Sequence, residues 1–360
     1  MPRLIRRLRA SPHTAVNRVL RRSGAGGRVT RVTITVVGLL GLLVAGTAGA
    51  LDAAASAASS TGAVAGAAET SRAVAAQLVA PGIWLVQGES ALGSAANRNF
   101  ISNASFVVTA DRVVVFDALG APVLATELLA EIRRVTPLPV QHVILSHYHA
   151  DHVYGLQVLQ AAGAEVIAHE AAKNYLGSET AALRLQASRQ DLAPWIDADT
   201  RLVPPTRWLS GSTTLVLGGT RFVIDHVGPA HTPEDLVVWL PERRVLLAGD
   251  LVFRGRVPFV GQADSAAWVQ ALDRLLSYDA RVLVPGHGPP SLQPQEDLQL
   301  TRDYLVHLRR SMGEAARNLE PFEEAYARTD WSRFEHLPLF RAANRINAYN
   351  TFLLMERLPP

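Results

Sequence analysis

From Val79 onward the chain alternates between two textures. Short apolar runs of strand length stand at Gly82 to Gln87, Ser105 to Thr109, Arg112 to Phe116 and 140–145. Between them lie stretches with helical spacing. Residues 122–135 place Val123, Leu128, Ile132 and Val135 on one face and stop before Pro137, which predicts a helix. A helix over 153–162 ends at Gly163, a strand follows at Glu165 to Ala168, and 170–192 reads as helical. The second half repeats the texture. Thr213 to Leu217 and Arg221 to Val227 pair as a hairpin through Gly218-Gly219. Leu236 to Leu240 and Val245 to Leu247 are apolar strands split by a polar turn at Pro241-Glu242. Residues 264–277 form an amphipathic helix, and Val282 to Val284 is a final strand. Two strand-rich halves, each with helices, predict two sheets packed together with helices outside.

After Pro290 the strands stop. Residues 294–327 are long, charged and helical, and 338–356 add a second periodic segment through Leu339, Ala342, Ile346, Tyr349, Phe352 and Leu353. Residues 291–360 are therefore expected to form a helical extension that covers a face of the core or makes a homo-oligomer contact. At the other end, basic residues up to Arg31 precede an apolar stretch from Val32 to Ala48, and Ala48-Gly49-Ala50 gives a small-x-small pattern. That layout predicts a secretory signal peptide over residues 1–50. An apolar run of about 17 residues also suits an uncleaved anchor in contact with the membrane. The expectation is an exported, periplasmic protein, or one anchored and facing the periplasm. Residues 51–78, rich in Ala, Ser and Gly, read as a linker to a domain over 79–290.

Charge changes the picture in one respect. The formal net charge is +3, yet the first 50 residues hold nine Arg and no acid. Without them, 26 basic residues face 32 acidic ones, so the body is mildly acidic and gives no support to nucleic-acid binding. The chain has no Cys, which excludes disulfides, thiolate metal ligands and a Cys nucleophile.

The chemistry concentrates at the exit of the strand 140–145. Residues 147–152 read His147-Tyr148-His149-Ala150-Asp151-His152. Neutral imidazole and carboxylate are ligands that zinc and iron favour. Residues two apart on extended backbone point the same way, so His147 and His149 can clasp one ion. Three further sites place one His or Asp beside Gly at the end of an apolar strand: His231 after Gly228, Asp250 after Gly249, and His287 between Gly286 and Gly288.

Those four elements, in that order, resemble the metallo-β-lactamase superfamily over roughly residues 80–290. Around Asn97 to Asn103 and in the tail near Asn344 to Glu356 the chain is also similar to periplasmic zinc metallohydrolases of the quinoprotein-relay and sulfur-oxidation type. The resemblance implies an α+β fold, a four-layer αββα sandwich, here with the helical C-terminal extension. It implies two Zn²⁺, with iron as the other metal these ligands hold. One ion would take His147, His149 and His231, the other Asp151, His152 and His287, with Asp250 bridging. A metal-bridging hydroxide would then cleave a small ester, thioester or amide, lactams included. Asp151 would orient the nucleophile or pass a proton to the leaving group. The alternatives are an iron-dependent oxidoreductase of the persulfide dioxygenase type and a metal-bound accessory protein of a periplasmic redox system. Phe253 stands where some β-lactamases carry Lys, which argues against a dedicated enzyme of that subclass.

Around the motif, Asp117 is expected as a buried turn former near the site. Thr232 and Asp235 should shape the loop after His231. Arg254 and Arg256 read as solvated surface charge or as cations that meet an anionic group on a substrate, Asn97-Arg98-Asn99 as a polar loop or a mobile lip, and Trp195 and Trp208 as core or as a groove wall. His13, His142, His169, His226, His307 and His336 are assigned to structure or surface.

Overall fold

The computed structural model describes residues 73–357 except Gln262. The expected leader over 1–50, and residues 51–72 of the Ala-rich linker, lie outside the described residues.

Strands β1 (Ala76–Ala80), β2 (Ile83–Val86), β3 (Ala104–Val108) and β4 (Val113–Phe116) run antiparallel in sequence order. Helix α1 (Pro122–Val135) then crosses to β5 (Val140–Ile144), which lies parallel to β4. Pro122 opens α1 at a position where a missing N–H costs nothing. Leu124, Leu128 and Ile132 recur at helical spacing and face the sheet. Short helices α2 (Ala150–Val153) and α3 (Leu156–Ala161) lead to β6 (Glu165–His169). Helices α4 (Ala172–Leu176) and α5 (Glu179–Asp191) precede β7 (Arg207–Leu209), and β5, β6 and β7 complete a seven-stranded sheet with parallel pairing. β4 is buried along its whole length, as expected of a central strand covered on both faces.

The second sheet has the order β12-β11-β10-β9-β8. β8 (Thr213–Leu217) and β9 (Thr220–His226) form the expected hairpin, with Gly218 and Gly219 at φ +53° and +75°. β10 (Leu236–Leu240) and β11 (Val245–Phe253) follow antiparallel. Helix α6 (Ser265–Leu275), capped by Asp264, crosses to β12 (Val282–His287), parallel to β11. Between the sheets, Leu85, Val107, Phe116 and Ile144 pack on Phe222, Ile224, Val238 and Leu247. Helices α7 (Pro294–Arg317), α8 (Phe322–Arg328) and α9 (Phe340–Arg357) cover the outer face of the second sheet together with α6. The αββα layering and the helical extension are thus both present.

Several element limits differ from the sequence reading. β1 begins at Ala76, inside the stretch assigned to linker up to 78. β7 was not anticipated, because three residues carry no periodicity. The helix read over 153–162 is two short pieces, and 170–192 breaks at Gly177. The helix read over 294–327 breaks at Leu319, which takes φ +54°, ahead of Pro321.

Candidate metal centre

Every one of the motif side chains arrives from the same end of the two sheets. His147 and His149 follow β5, Asp151 and His152 lie in α2, and His231 sits in the loop between β9 and β10. Asp250 lies within β11, which continues to Phe253 rather than ending at Leu247, and His287 ends β12. The pairing of β11 with β12 shifts register between Gly249 and Phe253, and this irregularity swings Asp250 out of the ladder. Gly286 is required where β12 passes: a Cβ there would sit 2.0 Å from Asp250 Oδ1.

The side chains gather in two groups, His147, His149, His231 and Asp250 in one, Asp151, His152 and His287 in the other. Within each group the donor atoms all lie within 4.8 Å of one another. Asp250 touches both: Oδ2 is 3.4 Å from His231 Nε2 and 3.3 Å from His287 Nε2, while Oδ1 is 3.2 Å from His152 Nε2.

Hydrogen bonds behind the rings decide which nitrogen faces inward. Asp117, at φ +64°, accepts from the Ser146 N–H and from Ser146 Oγ, each at 2.8 Å. Ser146 Oγ in turn lies 2.8 Å from His147 Nδ1, and Asp117 Oδ2 lies 2.9 Å from His152 Nδ1. With the hydroxyl proton on Asp117, both Nδ1 atoms must donate, which leaves the Nε2 lone pairs of His147 and His152 pointing into the cluster. His287 Nδ1 donates to the Ile101 carbonyl at 2.7 Å with the same result. His231 has no such bond behind its ring: Nδ1 is buried without a partner among the described residues, Nε2 lies 2.9 Å from His149 Nδ1, and the ring packs on Trp268 at 5.1 Å and Phe253 at 5.8 Å between ring centres. Thr232 donates twice to Asp235, closing the loop after His231 as expected; burial drives that carboxyl well upward against these two bonds.

The electrostatics of the two groups differ. Burial drives His147 far below the usual imidazole value, lowers His149, and pushes His231 down to about 3. Burial also opposes charge on His152 and His287, but Asp250 and its neighbouring carboxylates raise both overall. Burial alone would raise Asp151 and Asp250; the imidazoles of His152 and His287 hold both below the usual carboxylate range.

This donor set fits metal. Among the described residues, His147 Nε2, His152 Nε2 and Asp250 Oδ1 are buried without a hydrogen-bond partner, and such atoms are costly unless a cation satisfies them. All the donors are nitrogen or carboxylate oxygen, as zinc or iron sites require.

A cavity of about 390 Å³ opens beside the cluster. His149, Asp151, Asp250 and His287 form its floor, and Leu92, Ile101, Tyr175, Phe253 and Phe259 supply an apolar wall. Two expectations are corrected here. Arg256 is not solvated: it is 5 % exposed and lines this cavity. Arg254 pairs with Asp297 at 2.8 Å. Asn97 and Asn99 form a buried turn, with Asn99 Nδ2 donating to the Gly120 carbonyl. Trp195 and Trp208 pack against the outer core of the first sheet, Trp195 with its Nε1 on the Ala95 carbonyl. His226 stacks on His169, 3.5 Å between ring centres.

In the sequence Asn103 stood out only as the end of the Asn97 to Asn103 stretch, with no role of its own. Its Nδ2 donates to the carbonyls of Pro285 and Gly288, both at 2.8 Å, and its own N–H donates to the Gly286 carbonyl. It thereby ties the start of β3 to the turn that carries His287. Its role was not legible because its partners, Pro285, Gly286 and Gly288, lie more than 180 residues away.

Comparison with known proteins agrees with this geometry. The family profile described as "Metallo-beta-lactamase superfamily" matches residues 97–287. A linear primary-alkylsulfatase from Pseudomonas sp. is 24 % identical over 217 residues, 51 % of this chain but only 41 % of the alkylsulfatase. The metallo-beta-lactamase IND-1 of Chryseobacterium indologenes is 25 % identical, over 53 % of this chain and 73 % of the lactamase. Among solved structures, an inverting sec-alkylsulfatase from Pseudomonas sp. superposes with TM-score 0.63 at 18 % identity, over 78 % of this chain and 50 % of that one.

Proposed function

Because the chain belongs to the metallo-beta-lactamase superfamily, and with it to the metal-dependent hydrolases, we propose that it works as a dinuclear zinc enzyme on a small ester, thioester or amide, lactams included. The observation that carries this reading is the pair of donor groups sharing Asp250, with buried Nε2 lone pairs aimed inward. His147, His149 and His231 would hold one ion, Asp151, His152 and His287 the other, with Asp250 between them. When bound, such a pair supplies Lewis acidity and a water of lowered pKa.

The chain's own residues supply the rest. Asp117 fixes the tautomers of His147 and His152, so neither ring turns its N–H toward the reacting group. Asp151 is the carboxylate of the cluster most open to the cavity, its side chain 16 % exposed against 4 % for Asp250. It lies where it can hold a proton and hand it to a departing group, a role that needs reach and a charged resting state. The apolar wall limits water around the substrate. The basic-then-apolar leader supports an exported, periplasmic location for this activity.

The test is metal analysis of protein purified without added metal, followed by hydrolysis of lactam, thioester, ester and phosphodiester probes, with Asp151→Asn run in parallel. Two zinc equivalents, and turnover that chelation abolishes and zinc restores, are expected. One equivalent would remove the metal pair, iron would remove zinc, and unchanged turnover in a fully loaded Asp151→Asn would remove the proton role.

A further inference from the structure

The second sheet ends on one side at a bare edge, β8 (Thr213–Leu217), and we propose that this edge pairs antiparallel with β8 of a second copy of the chain, joining two five-stranded sheets into one. The inference is independent of the hydrolase reading, because β8 carries no residue of the metal cluster or its cavity. The other sheet edges are guarded in the ways proteins use against self-pairing. β1 shifts register between Leu78 and Ala80 and is followed by Pro81. β7 is three residues long and comes after Pro204-Pro205. β12 is buried along its length, and its Leu283 exchanges both backbone bonds with Ser291. β8 has none of these guards. It runs five residues in unbroken register with β9, without Pro or charge, and Val216 is 67 % exposed.

The hairpin decides which backbone groups face the open side. Gly218 and Gly219 both take positive φ in a two-residue turn, so Leu217 and Thr220 form its closing hydrogen-bonded pair. Pairs alternate from there. Leu217, Leu215 and Thr213 bond β9, while Thr214 and Val216 turn N–H and C=O outward. Among the described residues nothing bonds those outward groups. Unpaired groups of this kind are a template for another strand.

Self-complementarity selects the partner. A two-fold axis at Leu215 sets Thr214 against Val216 of the second copy and Val216 against its Thr214. That register satisfies every outward group of β8 without leaving the strand, and it opposes β-branched side chains on the outer face. On the inner face Leu215 meets Leu215 of the second copy, where Leu215 and Leu217 already pack on the core between the sheets. A two-fold axis brings like charges together, and residues 208–220 hold no charged side chain to repel. β9 leads into the His231 loop, so β8 begins at the metal-bearing end of its sheet. Antiparallel pairing therefore points the two clusters in opposite directions and leaves both cavities open.

The test is sedimentation velocity on the full chain. One strand a side is a small interface, so the protein is titrated from about 5 to 500 µM, where weak pairs form. Wild type is expected to pass from monomer to dimer across that range. Thr214→Pro removes an outward N–H and no bond to β9, so it should abolish the dimer and leave the metal content unchanged. Two double variants read the register. Thr214→Glu with Val216→Glu opposes acid to acid, whereas Thr214→Glu with Val216→Lys opposes acid to base. The first should dimerise about tenfold more weakly than the second. A wild type that stays monomeric overturns the proposal, and so does a dimer that persists in Thr214→Pro or a pair of double variants that associate equally. If Thr214→Pro does not fold, the double variants decide.

Discussion

Asp117 meets no reacting atom, yet two rings of the cluster take their orientation from it, one directly and one through Ser146. Replacing it by Ala frees His147 and His152 to turn and strands Ser146. Metal affinity is expected to fall about 10- to 100-fold, the usual effect of losing such an outer partner, with Asn less harmful than Ala. Chelator competition on the two variants measures it. At this scale the motif residues were legible because each follows an apolar run with a Gly or another His close by, although β11 in fact runs on through Asp250. Asp117 was legible only as a turn former, since its partners come from Ser146 and α2. Arg256 was misread for a related reason. Two Arg in three residues after a strand look alike in sequence, but one meets Asp297 of α7 and the other is enclosed by Ala91, Phe253 and His287. Both outcomes depend on segments more than 30 residues away.

The elements show where local pattern suffices. α1 and α6 were read nearly to the residue from their apolar stripes, α1 also from its proline boundary, and the Asp264 cap of α6 agrees with them. β7 and the extension of β11 past Leu247 were not, since three residues have no period and a bulged strand breaks its own. Helix α9 has a role beyond covering a sheet. Asn347 accepts from the Val260 N–H at 3.0 Å and donates to the Pro258 carbonyl at 2.8 Å and to Tyr304 Oη at 3.0 Å. It thus pins the segment that carries Phe259 in the cavity wall. Asn347→Ala leaves these buried groups unpaired and should cost about 1–3 kcal/mol, read from the urea midpoint.

For the described chain as a whole, the order of strands and helices in sequence was enough to anticipate two sheets between helical layers. The pairing order within each sheet was not, because it is set by contacts between distant strands. The cluster draws ligands from both sheets, so a bound ion ties the sheets to each other and counts toward global stability. At a thousandfold excess of free metal over Kd that linkage is worth about 4 kcal/mol. Chelation should therefore lower Tm by roughly 8 °C, at about 2 °C per kcal/mol for a domain of this size, and zinc should restore it; calorimetry with and without chelator checks both.

The spread of the ligands along the chain has a consequence for how the enzyme matures. Four of them precede residue 153, and the last, His287, is placed only when β12 has joined β11 and Asn103 has reached across to the turn beyond it. An unfinished chain emerging from the ribosome holds half a site. Metal binding is thus a late event, completed only when β12 docks against β11.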